Sequence, residues 1–268
     1  MSFSVFEQRW RRRFVERGTL MDDDAGIAGW TPTGLAARVR QFERLWRRAP
    51  GASGVWLDIG CGAGTYTRLL HKQGYTTLGM DYSWPSLSKA SRRSPAAIRW
   101  VAADVHRLPL ADGCAGGLLC FGVMQALGSP DGALRELARV VRPGGEIWVD
   151  ALNAHCLPTW LSEWRRRRRG RPPHLRYDTV KAFTHAARRA GLDVVAVEWL
   201  LILPARFQAL QWLVESRPVG TLLRTLPWLA VLLSHSFILR ARRCVDSQSP
   251  IAAAMRSAAR PSQYSGMR

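Results

Sequence analysis

Cysteine is scarce in this sequence, and its placement excludes two common ways of stabilising a fold. The five cysteines are odd in number, and none of them stands in a C-x-x-C pair. A zinc ribbon and a disulfide framework both depend on paired cysteines. We therefore expect reduced thiols, no metal centre and a cytoplasmic protein.

Long apolar runs are lacking as well. The sequence holds no stretch of 18 apolar residues, and the early segment FEQRWRRR has none of the apolar character of a signal peptide. We expect neither a membrane-spanning helix nor a secretory signal. A peripheral contact with a membrane is compatible with this composition.

Lysine is the third scarce residue. Only three of the 39 basic residues are lysines, and the formal net charge is +19 at pH 7. Such a charge attracts nucleic acid, anionic lipid or an acidic partner, but coding composition alone can also produce an arginine bias. What the chain has in quantity is apolar residues, 47% of 268, and 12 tryptophans. These suffice for one large folded domain.

Residues 1–50 are predicted to form an N-terminal helical cap. Phe3, Phe6, Trp10 and Phe14 recur at helical spacing among arginines, which indicates a basic amphipathic helix that either lies on a membrane or covers the domain. A second helical stripe follows, with Thr33 as its candidate N-cap.

Residues 51–243 alternate short apolar runs with helical patterns, which predicts an α/β fold with a doubly wound, mostly parallel sheet. Within this domain, residues 200–234 break the alternation with two apolar helical stripes, which indicates a helical hairpin before the last strand. Residues 244–268 form a polar tail that we expect to be flexible.

The most informative segment is residues 55–66, VWLDIGCGAGTY. An apolar strand ends in Asp58 and passes through three glycines into a helix. Glycine is needed where the backbone turns sharply and a ligand approaches it closely, because a Cβ would occupy that space. A dinucleotide-binding turn would place Gly or Ala at position 65, where Thr65 stands, so nicotinamide binding is disfavoured.

Three further motifs follow in order. Residues 78–83 (LGMDYS) end the second strand in an acid, residues 102–105 (AADV) follow the third strand, and residues 139–145 (RVVRPGG) precede the fifth. Together with the glycine motif they resemble the class I S-adenosylmethionine (SAM) dependent methyltransferases. The resemblance implies a Rossmann-like sheet of seven strands with the last strand antiparallel, and SAM as cofactor. Each acid taken singly could equally be an exposed loop residue.

The resemblance also implies a role for each motif residue. Asp58 would help to hold the ammonium group of SAM, and Asp81 would accept hydrogen bonds from both ribose hydroxyls. The glycines that would let the backbone approach the ligand are Gly60, Gly62 and Gly64. The residues expected around the adenine and the methyl-donor end are Tyr82, Asp104, Val105 and Phe121.

The sequence departs from the family pattern at two places. Ala115 and Gly116 replace an aromatic and an acid at the start of the fourth strand, and Gln125 stands where many small-molecule members carry a histidine. His155, after the fifth strand, is therefore the candidate catalytic base, with His174 and Tyr177 as weaker candidates. A lone loop histidine can also be merely exposed.

The acceptor is less well defined than the donor. The apolar hairpin and the N-terminal helices favour a small, hydrophobic or lipid-linked acceptor, with the hairpin as a lid over it or as added core. The arginine run at residues 165–171, interpreted as a loop, leaves RNA methylation as an alternative. A non-catalytic SAM-binding module is the second alternative. The sequence does not indicate an oligomeric state.

Overall fold

The computed structural model describes residues 4–245, and one seven-stranded sheet organises them. The strands are β1 (Val55–Ile59), β2 (Thr76–Asp81), β3 (Arg99–Ala102), β4 (Ala115–Cys120), β5 (Val141–Leu152), β6 (Leu192–Leu200) and β7 (Ser236–Arg243). Their spatial order is β3-β2-β1-β4-β5-β7-β6. The first five strands run parallel, and β7 is antiparallel to both β5 and β6. The predicted Rossmann-like α/β fold is confirmed.

Eleven helices lie among the described residues. They are α1 (Val5–Leu20), α2 (Asp24–Ala28), α3 (Pro32–Arg48), α4 (Thr65–Lys72), α5 (Trp84–Arg92), α6 (Asp131–Val140), α7 (Leu157–Arg168), α8 (Val180–Arg189), α9 (Gln211–Val214), α10 (Arg217–Thr225) and α11 (Pro227–Leu233). Short 3₁₀ helices occupy Met124–Ala126 and Ala205–Leu210. None of these helices is both long enough and apolar enough to cross a bilayer. Phe3 and residues 246–268 lie outside the described residues.

Side-chain caps explain where the N-terminal helices begin. The Ser4 hydroxyl accepts the amide of Glu7 at 3.2 Å and starts α1. The Thr31 hydroxyl accepts the amide of Gly34 at 3.1 Å, with Pro32 in the first turn of α3. The prediction of Thr33 as this N-cap is wrong by two residues, because proline already has the φ of a first helical residue and pulls the start forward.

Tryptophans form much of the core on one face of the sheet. Phe42 and Trp46 of α3 pack on Trp56 of β1 and Trp148 of β5, and all four side chains are fully buried. The Trp46 and Trp56 ring centroids are 4.6 Å apart at 80°, the edge-to-face arrangement that aromatic pairs prefer. This cluster fixes α3 against the sheet.

The unusual start of β4 makes room for one of these rings. A Cβ on Gly117 would lie 2.5 Å from the ring of Trp56, and a Cβ on Gly116 would lie 2.9 Å from the carbonyl oxygen of Ser53. The Trp56 indole N–H donates to the Ala52 carbonyl at 2.9 Å, so the ring is anchored. Of the two residues that depart from the family pattern, Gly116 is therefore required by the close approach of the Ser53 carbonyl.

We expect Gly117→Ala to lower the free energy of unfolding by about 1–3 kcal/mol, because the added methyl group overpacks the Trp56 ring. Gly220→Ala is the matched control, since nothing lies within 4 Å of its Cβ position in α10 and alanine favours a helix by about 0.5–1 kcal/mol. Denaturant unfolding measures both. Equal or higher stability of Gly117→Ala would contradict this packing.

The proline-glycine turn before the fifth strand is a bulge inside β5. Val141 pairs with Ala115 and Glu146 pairs with Gly117, so four residues of β5 stand opposite Gly116 alone. Gly144 has φ +75°, which only glycine adopts readily. The expected turn is present, but β5 begins before it rather than after it.

Two expectations about the second half of the chain are wrong in detail. The hairpin at residues 200–234 consists of a 3₁₀ helix and three short helices rather than two long ones, because Pro204, Pro218 and Pro227 interrupt it. The arginine run lies largely in the last turn of α7, not in a loop. Lysine and arginine are favourable at a helix C-terminus, where the macrodipole is negative.

Candidate functional site

A pocket opens at the carboxyl ends of β1, β2 and β4, and the N-terminal helices cover it. The space between its lining atoms is about 1020 Å³, counting the part open to solvent, which is the size of a small-molecule site. The strand ends and the loops after them form its floor. Its covering side chains include Trp10 and Phe14 of α1, Ile27 of α2, and Trp30 and Leu35.

The loop after β1 presents main chain to this pocket. The amides of Gly60 and Cys61 donate to the Met80 carbonyl at 2.7 and 3.0 Å, which ties the loop to β2. Gly60, Gly62 and Gly64 have φ of +73°, +52° and +82°. A Cβ on Gly60 would lie 2.2 Å from Val123, and one on Gly64 would lie 2.3 Å from Trp100. These two glycines are thus required by packing.

Gly62 differs from its two neighbours in the motif. The nearest atom to a Cβ at this position is Ile27 Cγ2, at 3.8 Å across the pocket. Gly62 lines the pocket, and its amide donates to Asp81 Oδ2 at 2.9 Å. The space in front of Gly62 is therefore available to a ligand.

Asp58 is a buried acid at the end of β1. Its Oδ2 accepts the Thr67 hydroxyl at 2.6 Å, and its side chain lines the pocket. Burial raises the pKa of Asp58 to about 6, although the Thr67 hydrogen bonds oppose the shift and Asp81 adds to it. A cation in the pocket would relieve this penalty.

Asp81 lies beside it at the end of β2. Its carboxylate accepts the amides of Gly62 at 2.9 Å and Ser83 at 2.8 Å. Burial raises the pKa of Asp81, against the opposing effect of these amides. The two amides fix the carboxylate while leaving lone pairs that face the pocket.

Arg11 of α1 lies at the end of the pocket where the adenine of SAM is expected. Its guanidinium lies 4.4 Å from the centroid of the Tyr82 ring and forms an ion pair with Asp104 Oδ2. Asp104 Oδ1 accepts the His106 amide at 2.9 Å. Tyr82 and Val105 line the pocket beside this ion pair. An adenine amine would therefore compete with Arg11 for Asp104.

The other end of the pocket is apolar. Phe121 and Tyr66 pack edge to face with ring centroids 5.0 Å apart, and both line the pocket. Burial raises the pKa of Tyr66 far above its ordinary value, so its hydroxyl stays neutral. Behind them, Asp150 accepts Arg38 at 3.0 Å and the Gly122 amide at 2.7 Å, which holds the loop after β4.

Seven of the ten predicted site residues line this one pocket: Asp58, Gly60, Gly62, Asp81, Tyr82, Val105 and Phe121. Asp104 is not in the lining but pairs with Arg11, which is. Gly64 lies just behind it as the N-cap of α4. His155 does not reach the pocket. It is exposed and lines a separate groove between α7 and α11, so the geometry gives no support to its assignment as the base.

Asn153, two residues before His155, and the weaker base candidates His174 and Tyr177 are also absent from the pocket lining. Asn153 donates to the carbonyls of Val231 and Ser234 at 2.6 and 2.9 Å, which ties the end of the inserted helices to β5. The His174 carbonyl accepts the Trp10 indole at 2.9 Å, and burial lowers the pKa of His174. Tyr177 borders α7 in another groove.

Sequence reasoning missed the acids that α1 and α2 bring to the site. Glu7 lines the pocket and pairs with His106 Nε2 at 2.7 Å. Asp24 lines it as well, and accepts Thr65 and Arg68 of α4. The run of three aspartates at residues 22–24 was the sequence feature that could have indicated Asp24. The described residues contain no cluster of three or more metal-ligating side chains.

Comparison with known families supports the resemblance seen in the motifs. Residues 57–149 match the model of a methyltransferase domain. A malonyl-[acyl-carrier protein] O-methyltransferase of Pectobacterium atrosepticum is 36% identical over 127 residues, which is 46% of this chain and 49% of that protein. A demethylmenaquinone methyltransferase of Beutenbergia cavernae is 34% identical over 128 residues, 44% and 50% of the two chains. The chain spans about half the length of these curated relatives.

A solved structure extends the similarity in fold. Magnesium protoporphyrin IX methyltransferase from Synechocystis PCC 6803 with bound SAH aligns with a TM-score of 0.59 at 12% identity. The alignment covers 89% of this chain and 99% of that one. At this identity the likeness concerns the fold.

Proposed function

We propose that this chain is a class I SAM-dependent methyltransferase that transfers a methyl group from SAM to a small apolar or lipid-linked acceptor. One observation carries the proposal: a glycine loop lies between two buried carboxylates, Asp58 and Asp81, on the floor of a pocket with an apolar end. A cationic, amphipathic ligand with a sugar diol matches these groups.

SAM fits the residues present in shape and in charge. The open space before Gly62 can take a ligand where a side chain would stand. Asp58 would attract the ammonium group, Asp81 would accept the ribose hydroxyls, and Tyr82 and Val105 would border the adenine. The raised pKa of Asp58 indicates a carboxylate that gains from a neighbouring cation.

Methyl transfer requires little acid-base chemistry from the protein. When bound, SAM supplies a methyl group on a positively charged sulfur that is already activated for displacement. Phe121 and Tyr66 would form rigid walls that align an acceptor and exclude water. Such alignment can supply roughly 7–11 kcal/mol of a barrier. An acceptor that is already an anion would need no base, which agrees with the exposed position of His155 outside this pocket.

The apolar half of the pocket supports an apolar acceptor. Trp30, Leu35, Phe121 and Leu127 line it. Two relatives are named for a malonyl-acyl carrier protein and for demethylmenaquinone, and both names denote acceptors with a long apolar or carrier-linked portion. We therefore place the acceptor in the same chemical class.

The decisive experiment is incubation with methyl-labelled SAM and cell extract, followed by separation into lipid, protein, RNA and small-molecule fractions. We expect label in the lipid or carrier-protein fraction, and much less with Asp81→Ala. Label confined to RNA would instead favour the nucleic-acid alternative. Cofactor binding without transfer to any fraction would favour a non-catalytic module.

The affinity for SAM should depend on pH through Asp58. Below about pH 6 the buried carboxyl is protonated, and the attraction for a cation is lost, so affinity should fall as the pH is lowered through this value. For the ligand-free protein, the effect of pH on stability has the opposite direction to its effect on SAM affinity. The native state binds this proton more tightly than the unfolded chain, so the Asp58 contribution to the free energy of unfolding falls as the pH rises towards 6.

Calorimetry from pH 5 to pH 8 checks this prediction, and SAM binding at the acidic end should release up to about one proton per site. Asp58→Asn should lower the affinity at neutral pH and flatten its pH dependence. An unchanged profile in Asp58→Asn would exclude Asp58 as the titrating group.

A further inference from the structure

Helix α7 stands on the surface with no buried residue along its 12 positions. Its apolar side chains are nonetheless large: Leu157, Trp160, Leu161 and Trp164 are all exposed, with Trp160 at 55%. Trp160 and Trp164 stack at 17° with centroids 6.5 Å apart. Exposure of several large apolar side chains on one helix marks an interaction surface.

Helix α11 continues this apolar region. Trp228 is 57% exposed, and with Leu232 it borders the same groove as Leu157 and Trp160. We call these four residues, together with Trp164, the α7–α11 surface. It derives from two segments that are far apart in the sequence.

Basic residues flank the α7–α11 surface. The last turn of α7 contains Arg165–Arg168, of which three side chains are exposed, and Glu163 is the one acid in this helix. Arg168 lies 4.0 Å from the centroid of the Trp164 ring. On the neighbouring α1, Arg9 donates to the Pro173 carbonyl at 3.0 Å just after the run. Tryptophan, leucine and arginine are thus side by side.

The N-terminal amphipathic helix does not provide such a surface. Trp10 is buried, and Trp10 and Phe14 line the pocket. Of the two alternatives for α1, the structure therefore supports the one in which its apolar face covers the domain. Large exposed apolar residues occur instead on α7 and α11, among other elements of the second half of the chain.

We propose that the α7–α11 surface binds the surface of an anionic lipid bilayer. Tryptophans and leucines insert into the headgroup boundary, and nearby arginines are attracted to anionic headgroups. The positive charge beside the α7–α11 surface favours an anionic bilayer as its partner, because an apolar groove with one acid and a run of arginines is complementary to a negative surface. The segment that follows α7 contacts the wall of the pocket, since Arg176 donates at 3.2 Å to the carbonyl of Leu127, which lines it.

Sedimentation with vesicles tests the proposal on the full chain, without cofactor or acceptor, so its outcome is independent of methyl transfer. The probes are vesicles of phosphatidylcholine alone and vesicles with added phosphatidylglycerol. We expect binding to the anionic vesicles only, weakened by salt. Recovery of the wild-type protein in the supernatant with both vesicles would overturn the proposal.

Paired variants locate the surface. Arg165→Gln/Arg168→Gln should reduce vesicle affinity about tenfold, whereas Arg47→Gln/Arg48→Gln, exposed at the end of α3, should not. Trp160→Ser/Trp164→Ser should reduce it comparably, whereas Trp84→Ser, 69% exposed on α5, should not. Circular dichroism confirms that each variant is folded. Equal losses in the α3 or α5 controls, or no loss in the tryptophan pair, would exclude this surface as the binding face.

Discussion

Replacing Asp81 with alanine should weaken SAM binding by about 10- to 150-fold. A buried acceptor that bonds two hydroxyls contributes roughly 1.5–3 kcal/mol, and Asp81 is buried at the end of β2 with its orientation set by two amides. Its removal also frees the Gly62 amide, which adds to the loss. Isothermal titration calorimetry at neutral pH measures the change.

The matched control is Asp112→Ala. Asp112 is an exposed acid that pairs with Arg139, and it is not among the residues that line the pocket. It should leave SAM affinity unchanged while removing the same formal charge. Unchanged affinity in Asp81→Ala would refute the ribose assignment, and a comparable loss in Asp112→Ala would point to the overall charge instead.

Gly62→Ala should reduce SAM affinity by about 10- to 100-fold with only a modest loss of stability. The added methyl group meets no protein atom closer than 3.8 Å, so it projects into space that the ligand needs, and overpacking of that kind costs roughly 1–3 kcal/mol. The left-handed backbone, φ +52°, costs alanine about 1–2 kcal/mol of stability.

Gly74→Ala separates these two effects. Gly74 also has a left-handed backbone, φ +87°, and nothing lies within 4 Å of its Cβ position. It should lose a similar amount of stability and retain cofactor affinity. Thermal unfolding and calorimetry of both variants make the comparison. If Gly62→Ala binds SAM like the wild type, the ligand does not approach this main chain.

The sequence predicts the parts of the fold that depend on neighbouring residues. The alternation of apolar runs and helical patterns predicts the parallel part of the sheet, because a central parallel strand is buried and apolar throughout, as β4 is. The strand before the glycine motif is predicted to end in Asp58, and β1 spans Val55–Ile59. The glycine motif locates the loop for a similar reason, since its backbone conformation is nearly inaccessible to other residues.

The parts that sequence reasoning missed depend on contacts between distant residues. The ion pair of Arg11 with Asp104 joins positions 93 residues apart, and no local pattern indicates it. The apolar residues of α1 have the same helical spacing whether their face contacts lipid or covers a pocket, so the spacing does not identify the contact. The position of His155 could not be foreseen either, because it depends on how α7 and α11 pack after β5.

The arginine-rich end of α7 and the buried acid in the pocket should respond differently to acid and to salt. A guanidinium keeps its charge throughout the range in which carboxyl groups titrate, so acidification should leave the basic end of α7 electrically constant while it neutralises Asp58 in the pocket. Added salt should weaken the electrostatic attraction of the exposed arginines and leave buried Asp58 largely unaffected, since ions screen exposed charges far more than buried ones. Acid and salt thus serve as two independent controls, one for the cleft and one for the arginine-rich helix.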